Sequence, residues 1–263
     1  MDGLIETLDS RGVATLTLDR PRARNAFDGE LVAALDEALA RLSPRPDVRA
    51  VVLAATGSAF CAGADAAWMA RMAEADEAAN LADARALAAM LRRLDRLPKP
   101  TMALVQGPAL GGGVGLVACC DVAIASEAAS FRLSEVRLGL IPATIGPYVV
   151  AAIGARQARR LFLTAESIEA VRAREIGLVH EVVPASALAE AGAAALDAII
   201  EGAPEAQAAA KDLAFLIGDA PTGADLSDET ARRIAARRAS AEAREGLAAF
   251  LEKRPPWWRG GTR

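Results

Sequence analysis

The pattern of apolar and polar positions at the start of the chain predicts two strands followed by a helix. Residues 4–8 and 13–19 alternate on either side of residues 10–12, which is typical of a β-hairpin. Asp28 then precedes a helical pattern that runs to about Leu42, so we expect the Asp28 side chain to cap that helix.

Farther along, short apolar runs alternate with stretches of helical spacing. Strands are predicted at 48–55, 101–106, 121–125 and 130–133. A helix in two pieces is predicted over 66–97, and the chain after residue 142 is almost wholly helical apart from 177–183. Because strand-then-helix modules recur without a sequence repeat, we predict the α/β class.

Composition narrows the classes of protein that this chain can belong to. Its 263 residues carry a net charge of −4, which argues against a broad nucleic-acid surface. Apolar runs are broken by charge or glycine well short of a bilayer span, so no membrane association is expected. Three cysteines give no disulfide framework, and we expect a reduced, cytoplasmic protein. A single histidine and no zinc-like spacing argue against a metal site.

Two loops of small residues carry the candidate chemistry. Each follows a predicted strand, at 60–65 and 110–115, and small side chains there leave backbone N–H groups uncovered. Two such corners facing one another would donate two hydrogen bonds to one carbonyl oxygen, forming an oxyanion hole. Glu135 follows in an apolar, Gly- and Pro-containing setting. A carboxylate beside an oxyanion hole suits chemistry that proceeds through an enolate.

These motifs resemble the crotonase superfamily, the enoyl-CoA hydratases and isomerases. The resemblance spans nearly the whole chain through LDRPRARNA at 18–26, AFCAGAD at 59–65, GPALGGG at 107–113 and AAFLEKR at 248–254. SEVRLGLIPA at 134–143, with DAAWM at 65–69, is most similar to the 3-methylglutaconyl-CoA hydratase branch. That branch and its relatives act on branched, carboxylated acyl-CoAs.

The resemblance implies an architecture and an assembly. We expect a crotonase-like spiral of ββα units over residues 1–200, holding the CoA site and the active site. A helical region over 201–263 is expected to mediate a homotrimer, or a hexamer built as a dimer of trimers. Coenzyme A is expected as part of the substrate, with no separate cofactor.

The resemblance also implies roles for individual residues. The amides of Ala64 and Gly112 correspond to the oxyanion donors, and Glu135 to the carboxylate that moves protons. Residues implied at the CoA site are Arg22, Arg24, Ala26, Ala62, Ala64, Asp65 and Lys253. Residues implied at the walls of the acyl pocket are Trp68, Met69, Thr144 and Tyr148.

One departure from the family pattern leaves the reaction open. Two-glutamate hydratases carry a second glutamate two residues beyond the glycine triplet, and this chain has Gly115 there. Glu135 could act alone, with a water held by backbone or by Thr144, or a substrate carboxylate could orient the water. Alternatively, no water adds and Glu135 moves a proton between C2 and C4, as in single-glutamate isomerases.

Similarity around Glu135 favours the hydratase, and the missing carboxylate favours the isomerase; we predict the hydratase, with the isomerase as the alternative. A third alternative is a non-catalytic acyl-CoA- or RNA-binding protein. The negative net charge, and the retention of Glu135 together with both loops, argue against that alternative.

Overall fold

The computed structural model describes residues 3–259 and arranges their strands in two sheets. The strands are β1 Leu4–Leu8, β2 Val13–Leu18, β3 Ala50–Ala55, β4 Thr101–Val105, β5 Ala109–Leu110, β6 Val122–Ser126, β7 Ser130–Arg132, β8 Ser167–Glu169 and β9 Glu181–Val183. The larger sheet has the order β1-β2-β3-β4-β6-β9, and the smaller has the order β5-β7-β8. Only the pairs β1–β2 and β7–β8 are antiparallel.

Helices connect the parallel strands and cover both faces of the larger sheet. They are α1 Gly29–Leu42, α2 Ala66–Glu74, α3 Glu77–Asp95, α4 Gly112–Cys119, α5 Gly146–Thr164, α6 Ala170–Glu175, α7 Leu188–Ile200, α8 Pro204–Asp219, α9 Ser227–Arg238 and α10 Ala241–Leu251. Parallel strands need such crossovers, which leaves the strands buried on both sides.

Strand β3 illustrates how the two faces are filled. Successive side chains of a strand point to opposite faces of its sheet. Val51 and Leu53 join the main core, together with side chains of α1, α3 and α4. Val52 joins a smaller cluster on the other face, where Leu188 and Leu196 of α7 cover it. The continuous apolar run that predicted this strand therefore reflects two cores.

Most predicted elements are confirmed. The hairpin forms, and Asp28 caps α1 by accepting a hydrogen bond of 2.8 Å from the Leu31 amide. The helix predicted in two pieces is α2 and α3, which are separated at Ala75 and capped by Asp65 and Asp76 respectively. The α/β class is also confirmed, because mostly parallel strands alternate with helices.

The region predicted as helical after residue 142 contains one strand that the pattern did not indicate. Helix α5 ends where Ala165 adopts a left-handed backbone, and β8 follows it at once. Ile168 is then buried while its neighbours are exposed, because β8 pairs antiparallel with β7. A strand of three residues is too short to show a period.

The C-terminal helices differ from the rest in their burial. Helices α8 and α9 bury no residue in this chain, and α10 buries only Glu242 and Ala249. Residues 260–263 of the predicted helical region lie outside the described residues, and the boundary near residue 200 stays a prediction. Within residues 3–259, no helix is both long and apolar enough to cross a membrane.

Candidate active site

A cavity of about 300 Å³ lies where the two small-residue loops meet the turn that carries Glu135. Its walls include Ala64 from the first loop, Gly112 from the second and Glu135 itself. This size is at the lower end for a small-molecule site. The three groups that the sequence singled out for chemistry therefore face one space.

The first loop is held against the segment that precedes α1. The Phe27 amide donates to the Gly63 carbonyl, and the Asp65 amide donates to the Phe27 carbonyl, both at 2.6 Å. Those two bonds flank Ala64, whose own N–H has no backbone acceptor within the described chain. The Ala64 amide is thus left as a donor at the cavity wall.

The second loop turns sharply into α4. Gly111 has a φ of 47°, and its amide donates to the Arg132 carbonyl at 2.8 Å. Gly112 is the first residue of α4, so its N–H has no intrahelical partner, and residues 3–259 offer it no other backbone acceptor. A β-carbon at Gly112 would lie 2.7 Å from Cδ2 of Phe27, so only glycine fits without a shift.

The two loops and the carboxylate are in direct proximity. The Leu110 amide donates to the Cys61 carbonyl at 2.8 Å, which joins the second loop to the first. A β-carbon at Gly111 would lie 3.1 Å from Oε1 of Glu135 and 3.9 Å from Cα of Gly63. A side chain at Gly111 would therefore press against the Glu135 carboxylate, beside the predicted oxyanion donors.

Glu135 occupies the first position of the 3-10 turn Glu135–Leu138. Burial raises the pKa of its carboxyl, and a backbone hydrogen bond opposes this with a smaller effect. Oε2 is buried and has no hydrogen-bond partner among the described residues. An unpaired carboxyl with a raised pKa is suited to taking up and releasing a proton near neutral pH.

The position of the missing second glutamate is filled. A β-carbon at Gly115 would overlap Cγ2 of Ile145 and would lie 2.9 Å from Cβ of Ile145. Leu91 Cδ2 is also near, at 3.7 Å. Gly115 therefore differs from the two-glutamate pattern in two ways. The carboxylate is absent, and apolar side chains occupy the space that it would need.

Comparison with known proteins agrees with this geometry. The model of the family described as Enoyl-CoA hydratase/isomerase matches residues 9–261. The chain belongs to this family. It is accordingly an enzyme of the enoyl-CoA hydratase type, with an acyl-CoA thioester as its substrate.

Individual members of the enoyl-CoA hydratase/isomerase family are similar over their full length. The crystal structure of an enoyl-CoA hydratase from Shewanella pealeana has a TM-score of 0.94 at 44% identity, covering 97% of this chain and 96% of that one. The 2,3-dehydroadipyl-CoA hydratase of Escherichia coli K12 is 35% identical, covering 99% of this chain and all of its own length. The (E)-benzylidenesuccinyl-CoA hydratase of Thauera aromatica is 34% identical, with 95% and 97% covered.

The structure brings about half of the predicted site residues together. Those that line the cavity are Ala62, Ala64, Trp68, Met69, Gly112, Glu135 and Thr144. Those that do not line it are Arg22, Arg24, Ala26, Asp65, Tyr148 and Lys253. A position on the wall does not establish a role, so the roles stay predictions.

The residues predicted for CoA lie mainly outside the cavity. Arg22 and Arg24 are exposed beside the first loop, where the Arg24 carbonyl accepts from the Ala62 amide at 2.9 Å. Ala26 is buried, and Lys253 is exposed just beyond α10. Asp65 accepts from the amides of Ala67 and Trp68, so in this chain it is the cap of α2.

Tyr148 differs from its predicted position on the acyl pocket. It packs against the main core from α5, and burial together with the nearby Cys119 raises the pKa of its phenol to about 12. Cys119 is the last residue of α4, about 10 Å along the axis from Gly112. Tyr148 does not line the cavity that holds Ala64, Gly112 and Glu135.

One part of the cavity wall is not predicted from the sequence. Asn80, Asp83, Ala84 and Leu87 line it from a single face of α3. Their spacing of three, four and seven residues is the helical signal that could have grouped them. Within residues 3–259, no three His, Cys, Asp or Glu side chains are grouped so as to hold a metal ion.

Proposed function

We propose that this protein adds water across the C2=C3 bond of a 2-enoyl-CoA thioester whose acyl group is branched or carboxylated. The observation that carries the proposal is the unpaired Glu135 carboxyl facing the cavity beside Gly111. No cofactor beyond the CoA of the substrate is part of the proposal.

In this mechanism the amides of Ala64 and Gly112 donate to the thioester oxygen. Negative charge develops there when a nucleophile attacks C3, and the N-terminal end of α4 favours it further. The donors are backbone groups fixed by loop geometry, so they need no rearrangement during the reaction. Each such donor is worth about 2.7–4 kcal/mol of barrier.

Glu135 then carries the proton from water to carbon. Its carboxylate takes a proton from the water as the oxygen bonds to C3 and the π electrons move into the enolate. The resulting carboxylic acid delivers that proton to C2, which restores the thioester carbonyl. One carboxyl thus serves as base and then as acid, which its raised pKa favours.

A single carboxylate needs help to orient the water. Ile145 excludes a second carboxylate at position 115, whereas Thr144 lines the cavity and offers a hydroxyl. A carboxylate on the substrate is the other source of orientation. The names of the two hydratases from Escherichia coli and Thauera aromatica specify adipyl and succinyl groups, which derive from dicarboxylic acids.

The cavity wall bears on where such a substrate carboxylate would lie. Among its lining residues within 3–259, Asp83 and Glu135 are the charged side chains and neither is cationic. A carboxylate on the acyl group would therefore be directed to the solvent-facing side, where Leu140 and Ile141 are exposed. An apolar branch would lie against Met69 and Leu87.

For the CoA moiety, we propose contacts with the exposed Arg22 and Arg24 and with Lys253. We also propose a cytoplasmic homotrimer or hexamer. The support for assembly is the exposure of apolar side chains at the end of α10, where Phe250 is 79% and Leu251 is 78% exposed. Side chains this apolar are usually covered by a partner surface.

The alternative is an isomerase, which the filled position 115 favours because proton transfer from C2 to C4 needs only one carboxylate. The absorbance of the conjugated thioester separates the two reactions. Loss of that absorbance from a 2-enoyl-CoA indicates hydration, and its appearance from a 3-enoyl-CoA indicates isomerisation. A panel of straight, branched and carboxylated 2-enoyl-CoAs then identifies the acyl group. Turnover of 3-enoyl-CoA alone would overturn the hydratase proposal.

A further inference from the structure

Two side chains on different helices close one end of the cavity. The indole Nε1 of Trp68, on α2, donates a hydrogen bond of 3.0 Å to Oδ1 of Asp83, on α3. Trp68 is the one buried residue of α2. The pair therefore connects a largely exposed helix to the body of the protein, and Met72 of α2 also packs against the main core.

Neighbouring polar contacts fix the orientation of that ring. The Asp65 carboxylate accepts from the Ala67 and Trp68 amides at 3.0 and 3.2 Å, which sets where α2 begins. At the other end of α2, Nδ2 of Asn80 donates to the carbonyls of Met72, Ala75 and Asp76. Both ends of α2 are thus held, and the indole is presented edge-on to Asp83.

A second cavity of about 240 Å³ lies behind this pair, against α1 and α3. Its walls include the buried Val32 and the exposed Ala33, Ala86 and Ala89, so it is a groove open to solvent, with Asp36 and Glu37 also lining it. Within the described chain, Trp68 and Asp83 are the lining residues that the two cavities share. The pair is therefore the partition between them.

We propose that the Trp68–Asp83 pair is the wall that limits the length of the acyl chain accepted by this enzyme. The second cavity is the space that a longer acyl chain enters once the wall is opened. This inference rests on the proposed function only in that it takes the first cavity as the acyl site.

Removing the indole should convert two cavities into one. A longer acyl chain would then bury further methylene groups against Val32, Ala33 and Ala86. Burial is worth about 0.8 kcal/mol per CH₂, which is about fourfold in affinity for each methylene. Two or more additional buried methylenes therefore raise the preference for a long chain at least tenfold.

The test measures binding, so that it does not depend on turnover. Butanoyl-, hexanoyl-, octanoyl- and decanoyl-CoA, which are saturated and unreactive, are titrated calorimetrically into wild type, Trp68→Ala and Trp68→Ala/Ala86→Leu. We expect the ratio of butanoyl- to decanoyl-CoA Kd to rise at least tenfold in Trp68→Ala. Ala86 lies one turn from Asp83, so leucine there should refill the second cavity and return most of that gain.

Two further variants test the wall without removing the ring. Asp83→Ala removes the acceptor of the indole N–H, whereas Asp83→Asn keeps an acceptor and removes the charge. We expect the chain-length preference to shift about threefold in Asp83→Ala and less than twofold in Asp83→Asn. If Trp68→Ala fails to fold, the chain-length preferences of the two Asp83 variants test the proposal instead.

The proposal is overturned if the length preference of Trp68→Ala stays within twofold of wild type. It is equally overturned if Ala86→Leu fails to reverse the gain, because the longer chain would then leave by another route. Failure of the proposed function looks different, since wild type would bind no acyl-CoA or would turn over no 2-enoyl-CoA.

Discussion

The two ends of the active-site cavity are built in different ways. At the reacting end, the groups proposed to contact the thioester are the backbone amides of Ala64 and Gly112, in loops held by hydrogen bonds. At the acyl end, the wall is made of side chains on α2 and α3, joined by the Trp68–Asp83 hydrogen bond. The reacting end requires small residues, because they leave the backbone amides uncovered. The acyl end requires particular side chains, Trp68 and Asp83, to form its wall.

This difference implies different tolerance to change. A side chain added at Gly111 or Gly112 would meet Glu135 or Phe27, so the reacting end accepts little variation. The acyl end can exchange one side chain for another on helices whose backbones stay in place. We therefore expect substitutions at the reacting end to abolish chemistry, and those at the acyl end to change the preferred substrate.

The largest effect should come from Glu135→Gln. The amide keeps the size of the side chain but cannot accept and return a proton, so kcat should fall about 10²–10⁴-fold. Steady-state kinetics with the best 2-enoyl-CoA measure this. The matched control is Glu190→Gln, an exposed carboxylate on α7 outside the cavity wall. A fall of less than tenfold at Glu135 would remove it from the chemistry.

The next effect should come from deleting one oxyanion donor without changing a side chain. Replacing Ala64 by lactic acid turns its amide into an ester, which removes the N–H and keeps the shape. We expect kcat to fall about 10²–10³-fold with little change in KM.

The same replacement at Ala66 is the control for the Ala64 ester. Ala66 begins α2, is exposed, and lies outside the cavity wall. Equal losses of kcat at both positions would mean that the ester acts by disturbing the fold. The Ala64 amide would then have no particular role as an oxyanion donor.

The same contrast explains what the sequence could and could not reveal. The reacting end depends on local features, namely glycine loops after strands and one carboxylate, and these are visible as short motifs. Helical spacing groups Asn80 and Asp83 on one face of α3, but only tertiary structure shows that this face lines the cavity.

Tyr148 and Asp65 show the limit from the opposite side. Tyr148 is predicted at the acyl pocket with Thr144, but α5 begins between them at Gly146 and Tyr148 does not line the cavity. Asp65 stays a predicted CoA contact, and the structure adds that its carboxylate caps α2. Motif spacing predicts the loop, but it does not predict the direction in which each side chain points.

A smaller effect, on the free energy of unfolding, is expected at Gly115. Gly115→Ala forces a methyl group against Ile145, and such overpacking costs about 1–3 kcal/mol of the free energy of unfolding. Ile145→Ala removes the Cγ2 that the new methyl would meet. Chemical denaturation of both single variants and the double variant should give a favourable coupling of about 1 kcal/mol. Additive effects would mean that Ile145 does not occupy the space of the missing carboxylate.

The smallest effect is the pH dependence of stability at Glu135, and its sign follows from burial. The pKa of this carboxyl is raised above its ordinary value of 4.5 in the folded chain, chiefly by desolvation. Between the unfolded and folded pKa values the folded state binds more protons, so this group's contribution to stability falls as pH rises through that window. Glu135→Gln lacks the ionisation, so the thermal midpoint of this variant should rise relative to that of wild type between pH 4 and pH 7.

The acid limb of kcat/KM should move with the same pKa, because only the carboxylate can accept a proton from water. If the stability difference between the two proteins is flat across that range, Glu135 is solvated like a surface carboxylate. The reacting end would then have no buried acid–base group to set it apart from the acyl end.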